Sequence, residues 1–155
     1  MQNNPDTIIV LDFGSQYNQL ICRRIREMKV YSLLLPYSTT AEELKKYPSL
    51  KGIILSGGPN SVYEEGSFRI DEKIFSLGVP VLGICYGMQF ISHLNKGEII
   101  PGIRKEYGGQ EIEVLNDSLL FDQTPKKQIV WMSHSDKVNS LPNGFEVIAS
   151  SDNTQ

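Results

Sequence analysis

The stretch PVLGICYGMQFISHL, residues 80–94, places a cysteine between a short apolar run and an amphipathic segment. Residues 80–84 predict a buried strand, and residues 86–94 predict a helix. Cys85 stands at the junction, with glycines two positions before it and two positions after it. A strand, a tight turn and a helix in this order form the elbow that presents a nucleophile at a sheet edge. The pattern therefore predicts an α/β fold with Cys85 at the carboxyl end of a strand.

Outward from this elbow, apolar runs alternate with helical stretches. Strands are predicted at 7–12, 31–35 and 52–55, and helices at 17–28, 41–47 and 70–77. This spacing implies right-handed crossovers and a doubly wound, mostly parallel sheet flanked by helices. Helix signals become few after residue 94. Antiparallel strands in the C-terminal third are predicted at 98–100, 110–115, 128–132 and 145–150.

The amino-acid composition limits the kinds of protein that this chain can be. With 155 residues, 40% of them apolar and 21% charged, the chain is expected to form one soluble globular domain spanning residues 1–155. A net charge of −3 without a basic stripe argues against a nucleic-acid partner. The first apolar run is too short for a signal peptide or a membrane span. Two cysteines in unlike contexts suggest a reducing, cytoplasmic location, and no metal site is predicted.

Chemistry is expected where the loops converge at the strand ends. A sulfur at a helix N-terminus is favoured as the thiolate, and the N–H of Tyr86 is placed to bond an oxyanion. The loop after strand 52–55 contains Gly57 and Gly58, and the N–H of Gly58 is the predicted second donor. The alternatives are an inert buried cysteine, which is the interpretation given to Cys22, and a plain Gly-Gly-Pro turn.

A cysteine nucleophile needs a base, and the chain has two histidines. His93 lies eight residues past Cys85 on the same predicted helix, about 12 Å along its axis, and is interpreted as structural. His134 follows the predicted strand 128–132 in a polar loop. On chemistry alone His134 is the better candidate base.

Four separated segments carry a family resemblance. Gly-Ile-Cys-Tyr-Gly-Met-Gln at 83–89 resembles the nucleophile motif of class I glutamine amidotransferases, and Ile-Leu-Ser-Gly-Gly-Pro at 54–59 resembles their oxyanion strand. Two further segments are 11–17, which is followed by two arginines, and 130–138. They are similar to the corresponding segments of those family members that support the amination of XMP to GMP. The resemblance covers essentially the whole chain and implies a flavodoxin-like fold.

The resemblance implies that Cys85 attacks the side-chain amide of glutamine, releases ammonia and leaves a thioester that water cleaves. Gly58 and Tyr86 would form the oxyanion hole. The substrate-binding residues that it implies are Gly57, Gln89, Ser133, His134, Ser135 and Asp136. Ammonia would pass to a synthetase domain or subunit that uses ATP and magnesium, and the whole enzyme could be a homodimer. No cofactor is expected in this domain itself.

Two departures from the family pattern matter. The family's base is a histidine oriented by a glutamate, in a His-Pro-Glu segment expected beyond Gln155, and the resemblance makes His134 a loop residue instead. The synthetase domain is absent from these 155 residues. We therefore expect a chain cut before its His-x-Glu segment, and nearly inactive alone.

Three rival functions remain at this stage. The chain could be the amidotransferase subunit of another synthase, against which the Trp131 segment and the Asp12 segment argue. It could be a thiol hydrolase or cysteine peptidase with a similar elbow. It could also be a non-catalytic regulatory domain of the same fold, which the missing His-x-Glu segment would fit.

Overall fold

The computed structural model describes residues 5–64, 66 and 68–152, without the side chains of 103–106 and 135. The chain divides into two compact units, Met1–Phe90 and Ile91–Gln155. In the described residues no helix is long and apolar enough to cross a membrane.

The first unit is built on four parallel strands. They are β1 (Thr7–Asp12), β2 (Tyr31–Pro36), β3 (Leu50–Leu55) and β4 (Val81–Gly83). The strand order is β2-β1-β3-β4, which confirms the predicted parallel sheet. Strand β1 pairs on both edges, and its side chains Ile9, Val10 and Leu11, which project from the two faces of the sheet, are completely buried. This burial explains why the sequence of the strand is a continuous apolar run.

The strand order reverses at β1, which has β2 on one side and β3 on the other. In open parallel sheets the loops at such a reversal diverge and leave a crevice at the carboxyl ends of the strands. The loops after β1, β3 and β4 all leave the sheet from this edge. The topology therefore directs these three loops to one end of the sheet.

The described residues form three α-helices: α1 (Asn18–Glu27), α2 (Ala41–Leu44) and α3 (Tyr86–Leu94). The predicted helix at 70–77 is a short 3-10 helix, Glu72–Ser76. Helix α1 turns Asn18, Cys22 and Ile25 inward. The apolar residues Tyr17, Leu20 and Met28 are exposed instead.

The second unit holds an antiparallel sheet in the order β6-β5-β7. Its strands are β5 (Glu98–Val114), β6 (Lys127–Ser140) and β7 (Ala149–Ser150). The antiparallel character of this third of the chain is confirmed. The predicted loop at 133–136 is wrong, because these residues continue β6 and pair with β5 across a register shift between Pro101 and Glu106. The irregularity is taken up by β5, so β6 stays continuous.

Candidate active site

Cys85 lies in the turn between β4 and α3 in a left-handed backbone conformation. Its φ is 48°, a region that costs residues other than glycine roughly 1–3 kcal/mol. The turn is tied to β3, since the N–H of Ile84 donates to the carbonyl of Leu55 at 2.9 Å and the N–H of Gly87 donates to that of Ser56 at 3.1 Å. Cys85 is partly exposed. This is the geometry expected of a nucleophile elbow.

The two glycines of the elbow are required by close approach. A Cβ on Gly87 would lie 2.3 Å from the carbonyl oxygen of Leu55, and one on Gly83 would lie 2.5 Å from the nitrogen of Met88. Both separations are far below van der Waals contact, so neither position has room for a methyl group. The first turn of α3 therefore packs directly on the ends of the strands. This close packing explains the Gly-x-Cys-x-Gly pattern in the sequence.

The segment that follows β3 passes beside Cys85. A Cβ built on Gly57 would lie 3.6 Å from the Cβ of Cys85 and 3.7 Å from the Oγ of Ser15. The buried Ser56 holds this segment in place, because its Oγ accepts from the N–H of Phe13 at 3.0 Å and donates to the carbonyl of Gly57 at 2.8 Å. Gly57 is thus flanked by the side chains of Cys85 and Ser15.

The amides of Gly58 and Tyr86 are open as hydrogen-bond donors. Within the part of the chain that the structure describes, neither N–H donates to a protein acceptor. Tyr86 is the first residue of α3, where N–H groups have no acceptor within the helix. The two donors lie on the two segments that meet at Cys85. An oxyanion hole needs donors of this kind, and their role stays a prediction.

An aromatic cluster anchors the start of α3. The ring of Tyr86 is 1% exposed and lies 5.4 Å from the ring of Phe13 and 5.8 Å from that of Phe68. Burial raises the pKa of the Tyr86 hydroxyl. The phenol therefore stays neutral at physiological pH. Its burial fixes the first turn of the helix, and with it the backbone next to Cys85.

Gln89 lies one helical turn beyond the nucleophile. Its side chain is almost completely buried, and its N–H donates to the carbonyl of Cys85 at 3.0 Å. The predicted site residues that belong to the first unit are Cys85, Gly57, Gly58, Tyr86 and Gln89.

The loop after β1 contains residues to which sequence analysis assigned no site role. The Oδ1 of Asp12 accepts from the N–H of Gly14 at 2.7 Å and from the amide of Asn18. The Oγ of Ser15 accepts from the N–H of Tyr17 at 3.1 Å. These bonds hold Ser15 beside Gly57. The available signal was the position of this loop at the carboxyl end of a central strand.

The remaining predicted site residues belong to the second unit. Ser133, His134 and Asp136 are partly buried in β6, and the side chain of Ser135 lies outside the described residues. The Nδ1 of His134 donates to the carbonyl oxygen of Asp136 at 3.0 Å. This bond orients the imidazole ring within its own strand. His93, the other histidine, is exposed in the last turn of α3.

The second unit also contains a cavity of about 750 Å³. It is lined by one stretch of chain between β5 and β6, with Val114, Asp117, Phe121, Asp122 and Lys126 among its residues. None of the predicted site residues contributes to it. Its lining holds neither a cysteine nor a histidine, so the chemistry of the chain points to the elbow at Cys85 instead.

Comparison with known proteins gives a consistent result. The family model described as glutamine amidotransferase class-I matches residues 9–155. A GMP synthase (glutamine-hydrolyzing) from Latilactobacillus sakei is 59% identical over 150 residues, which is 96% of this chain and 29% of the relative. A protein of the same name from Bacillus licheniformis is 59% identical over 146 residues, 94% of this chain and 28% of the relative. The chain thus spans less than a third of these relatives.

Solved structures show the same fold. A structure described as a GMP synthase subunit from Thermoplasma acidophilum superposes with a TM-score of 0.85 at 30% identity, covering 99% of this chain and 77% of that one. A glutamine amidotransferase from Thermotoga maritima gives a TM-score of 0.78 at 19% identity, covering 99% and 70%. The second likeness concerns the fold alone.

Proposed function

The chain belongs to the glutamine amidotransferase class-I family, and from this premise we propose that Cys85 releases ammonia from the side-chain amide of glutamine. The observation that carries the proposal is the left-handed turn at Cys85, with φ of 48°, beside Gly57. A partly exposed cysteine in a strained turn between a strand and a helix suits nucleophilic catalysis.

The proposed reaction has two halves. The thiolate of Cys85 attacks the side-chain carbonyl carbon of glutamine, and the carbonyl electron pair moves to the oxygen. The N–H groups of Gly58 and Tyr86 donate to the resulting oxyanion. As the tetrahedral intermediate collapses, the C–N bond breaks and the nitrogen takes a proton from the general acid. Ammonia departs, and a γ-glutamyl thioester remains on Cys85. Water, deprotonated by the same group, then breaks the C–S bond and yields glutamate and the thiolate.

Substrate binding is proposed for Gly57, Gln89 and four residues of β6. Gln89 and Gly57 adjoin the nucleophile in the first unit. Ser133, His134, Ser135 and Asp136 are proposed to hold the α-amino and α-carboxyl groups of glutamine. Ionic and polar partners suit these two charged groups, and Asp136 is the natural partner of the ammonium.

The general base is proposed to be a histidine, oriented by a glutamate, in the part of the relatives that this chain does not cover. Two observations support this. His93 is exposed in the last turn of α3. His134 uses its Nδ1 to bond the backbone of Asp136, so this ring nitrogen is held by its own strand.

The ammonia is proposed to aminate XMP to GMP in purine nucleotide biosynthesis. The proposal rests on relatives named GMP synthase (glutamine-hydrolyzing) at 59% identity. The matched region is less than a third of each of these relatives, which leaves room for a synthetase part that uses ATP and magnesium. We place the protein in the cytoplasm and propose that the whole enzyme forms a homodimer.

Removal of the thiol in the longer protein tests the proposed function. The variants Cys85→Ala and Cys85→Ser should lose glutamine-dependent formation of GMP by at least about 10³-fold and keep ammonia-dependent formation. The matched control is Cys22→Ala, which removes the other thiol from a buried site in α1 and should keep both activities. Full glutamine-dependent activity of Cys85→Ala would reject the proposal.

A further inference from the structure

Helix α1 leaves an apolar face uncovered. Tyr17, Leu20 and Met28 are 37%, 46% and 70% exposed, while the same helix buries Asn18, Cys22 and Ile25. At 3.6 residues per turn, Tyr17, Leu20, Arg24 and Met28 fall within about 80° of arc and extend over about 16 Å. We call these four residues the α1 stripe. An uncovered apolar stripe of this kind is typical of a surface that a partner covers.

The α1 stripe has positive charge at its C-terminal half. Arg23 and Arg24 share one acidic residue, Glu27, at 3.1 Å and 2.9 Å. All three side chains are well exposed, and the exposed Lys29 after the helix adds one further cation. Two guanidinium groups on one carboxylate leave the surface cationic. A partner that fits it is apolar at its centre and carries carboxylates at its rim.

The α1 stripe begins next to the proposed nucleophile. Tyr17 donates its N–H to the Oγ of Ser15 at 3.1 Å, and Ser15 lies with Cys85 on either side of Gly57. All of these residues belong to the first unit. A partner seated on the stripe would therefore lie beside the place where ammonia is released.

We propose that the α1 stripe docks the synthetase part that consumes the ammonia. The proposal rests on the proposed function and names the surface through which the two parts meet. The curated relatives contain 96% of this chain in only 29% of their own length. The larger part of those proteins is therefore available to cover the stripe. Ammonia is small and diffusible, so a consumer gains most when it docks beside the source.

The test uses the longer protein that carries both parts, or the two-subunit complex where they are separate. Leu20→Asp and Met28→Asp are each compared with wild type. Three quantities are measured: GMP formation from glutamine, GMP formation from ammonium chloride, and the thermal midpoint. Each variant should lower the glutamine-dependent rate at least about tenfold and leave the ammonia-dependent rate within about twofold. Arg24→Glu should lower the glutamine-dependent rate in the same direction.

The matched control is Gln19→Asp. Gln19 is exposed in the same turn as Leu20, is rotated about 100° from it, and receives the same new charge. It should keep both rates. An equal loss in Gln19→Asp and Leu20→Asp, or a loss of the ammonia-dependent rate in the stripe variants, would contradict a docking role.

Other occupants of the α1 stripe give different results. If a second copy of the chain covers it, the stripe variants change the sedimentation coefficient and leave the two rates alone. If further residues of the amidotransferase domain cover it, the thermal midpoint falls in the stripe variants. Either result overturns the proposal, as does an unchanged ratio of the two rates. A wild-type protein that makes no GMP from glutamine would remove the proposed function as well, so the two failures are distinguishable.

Discussion

Cys85 holds a left-handed backbone conformation that glycine adopts without steric cost. The free-energy cost of this conformation for a residue with a Cβ can be measured separately. We predict that Cys85→Gly is more stable than Cys85→Ala by about 1 kcal/mol, because alanine keeps a Cβ at a φ of 48° and glycine does not. Both variants lack sulfur, so the thiol cancels in the comparison. Urea unfolding measures the difference, and an alanine variant of equal or greater stability would show that the turn is not strained.

Gly87 is predicted to be irreplaceable. Gly87→Ala should destabilise the protein by more than about 3 kcal/mol, because its Cβ would lie 2.3 Å from the carbonyl oxygen of Leu55 and the backbone must move. The matched control is Gly109→Ala, where the nearest atom is a side-chain carbon of Ile129 at 3.2 Å. Ile129 is exposed and can rotate, so the control should cost less than about 1 kcal/mol. Equal losses in the two variants would contradict the steric explanation.

At single positions, local sequence predicts what local geometry determines. The two glycines around Cys85 predict the elbow, because the clash that they avoid lies within one turn and its neighbouring strand. Ser15 was assigned no site role, because it is far from Cys85 in the sequence. The two side chains are brought near each other by Gly57, which lies between them in the segment that follows β3. That approach follows from the pairing of β1 with β3. A single sequence contains no direct signal for that pairing.

Helix α2 is one turn long and depends on its N-terminal cap. The Oγ1 of Thr40 accepts from the N–H of Glu43, and the carboxylate of Glu43 accepts from the N–H of Thr40. We predict that Thr40→Ala costs about 1 kcal/mol of stability, the usual contribution of such a cap. Thr40→Ser keeps the accepting hydroxyl and should cost less. Thermal unfolding of the two variants decides, and equal losses would show that the hydroxyl does not cap the helix.

Asp71 joins α2 to the following 3-10 helix. Its carboxylate accepts from the N–H of Ala41 at 2.9 Å and from that of Lys73 at 3.1 Å. These two amides, Ala41 first, hold the pKa of Asp71 below its usual value. A lowered pKa in the folded state means that the stabilisation is present above the unfolded pKa, near about pH 4, and is lost as pH falls through the folded pKa.

Asp71→Asn should therefore be less stable than wild type at neutral pH, and the gap should close as pH falls below about 4. Thermal midpoints measured across this range for both proteins test the prediction. A gap that stays constant down to low pH would mean that the charge of Asp71 contributes nothing.

Helices and strands with a strong hydrophobic periodicity were predicted closely. Elements whose extent depends on strand pairing were not. The predicted helix at 17–28 is α1, Asn18–Glu27. Asn18 and Cys22 turn inward because Asn18 bonds Asp12 and Cys22 packs with Val10. In the second unit, the separate predicted strands 98–100 and 110–115 are parts of one strand, β5. Pairing with β6 sustains it through glycine-rich sequence, and β7 pairs only with Glu113 and Val114 at its end.

For the molecule as a whole, alternating apolar and helical runs were enough to predict a parallel sheet with an antiparallel C-terminal third. The order β2-β1-β3-β4 could not be predicted, because apolar runs show which strands are buried but not which ones are neighbours. That order decides which loops surround Cys85. Sequence thus predicted the elbow and its place in the fold better than it predicted the surroundings of the site.

A consequence for the whole protein concerns the general base. If the base lies outside these 155 residues, the 155-residue chain should hydrolyse glutamine about 10³-fold or more slowly than the longer protein, since a nucleophile without its base loses most of its catalysis. Steady-state release of glutamate from the two proteins measures the ratio. Comparable turnover would show that a base is present within residues 1–155.

Covalent labelling tests the role of Cys85 most directly. The longer protein is incubated with a glutamine analogue that carries an electrophilic side chain, and the labelled peptides are identified by mass spectrometry. We predict one adduct on Cys85, none on the buried Cys22, and protection of Cys85 by excess glutamine. An unlabelled Cys85, or labelling that glutamine does not slow, would contradict the assignment of Cys85 as the amidotransferase nucleophile.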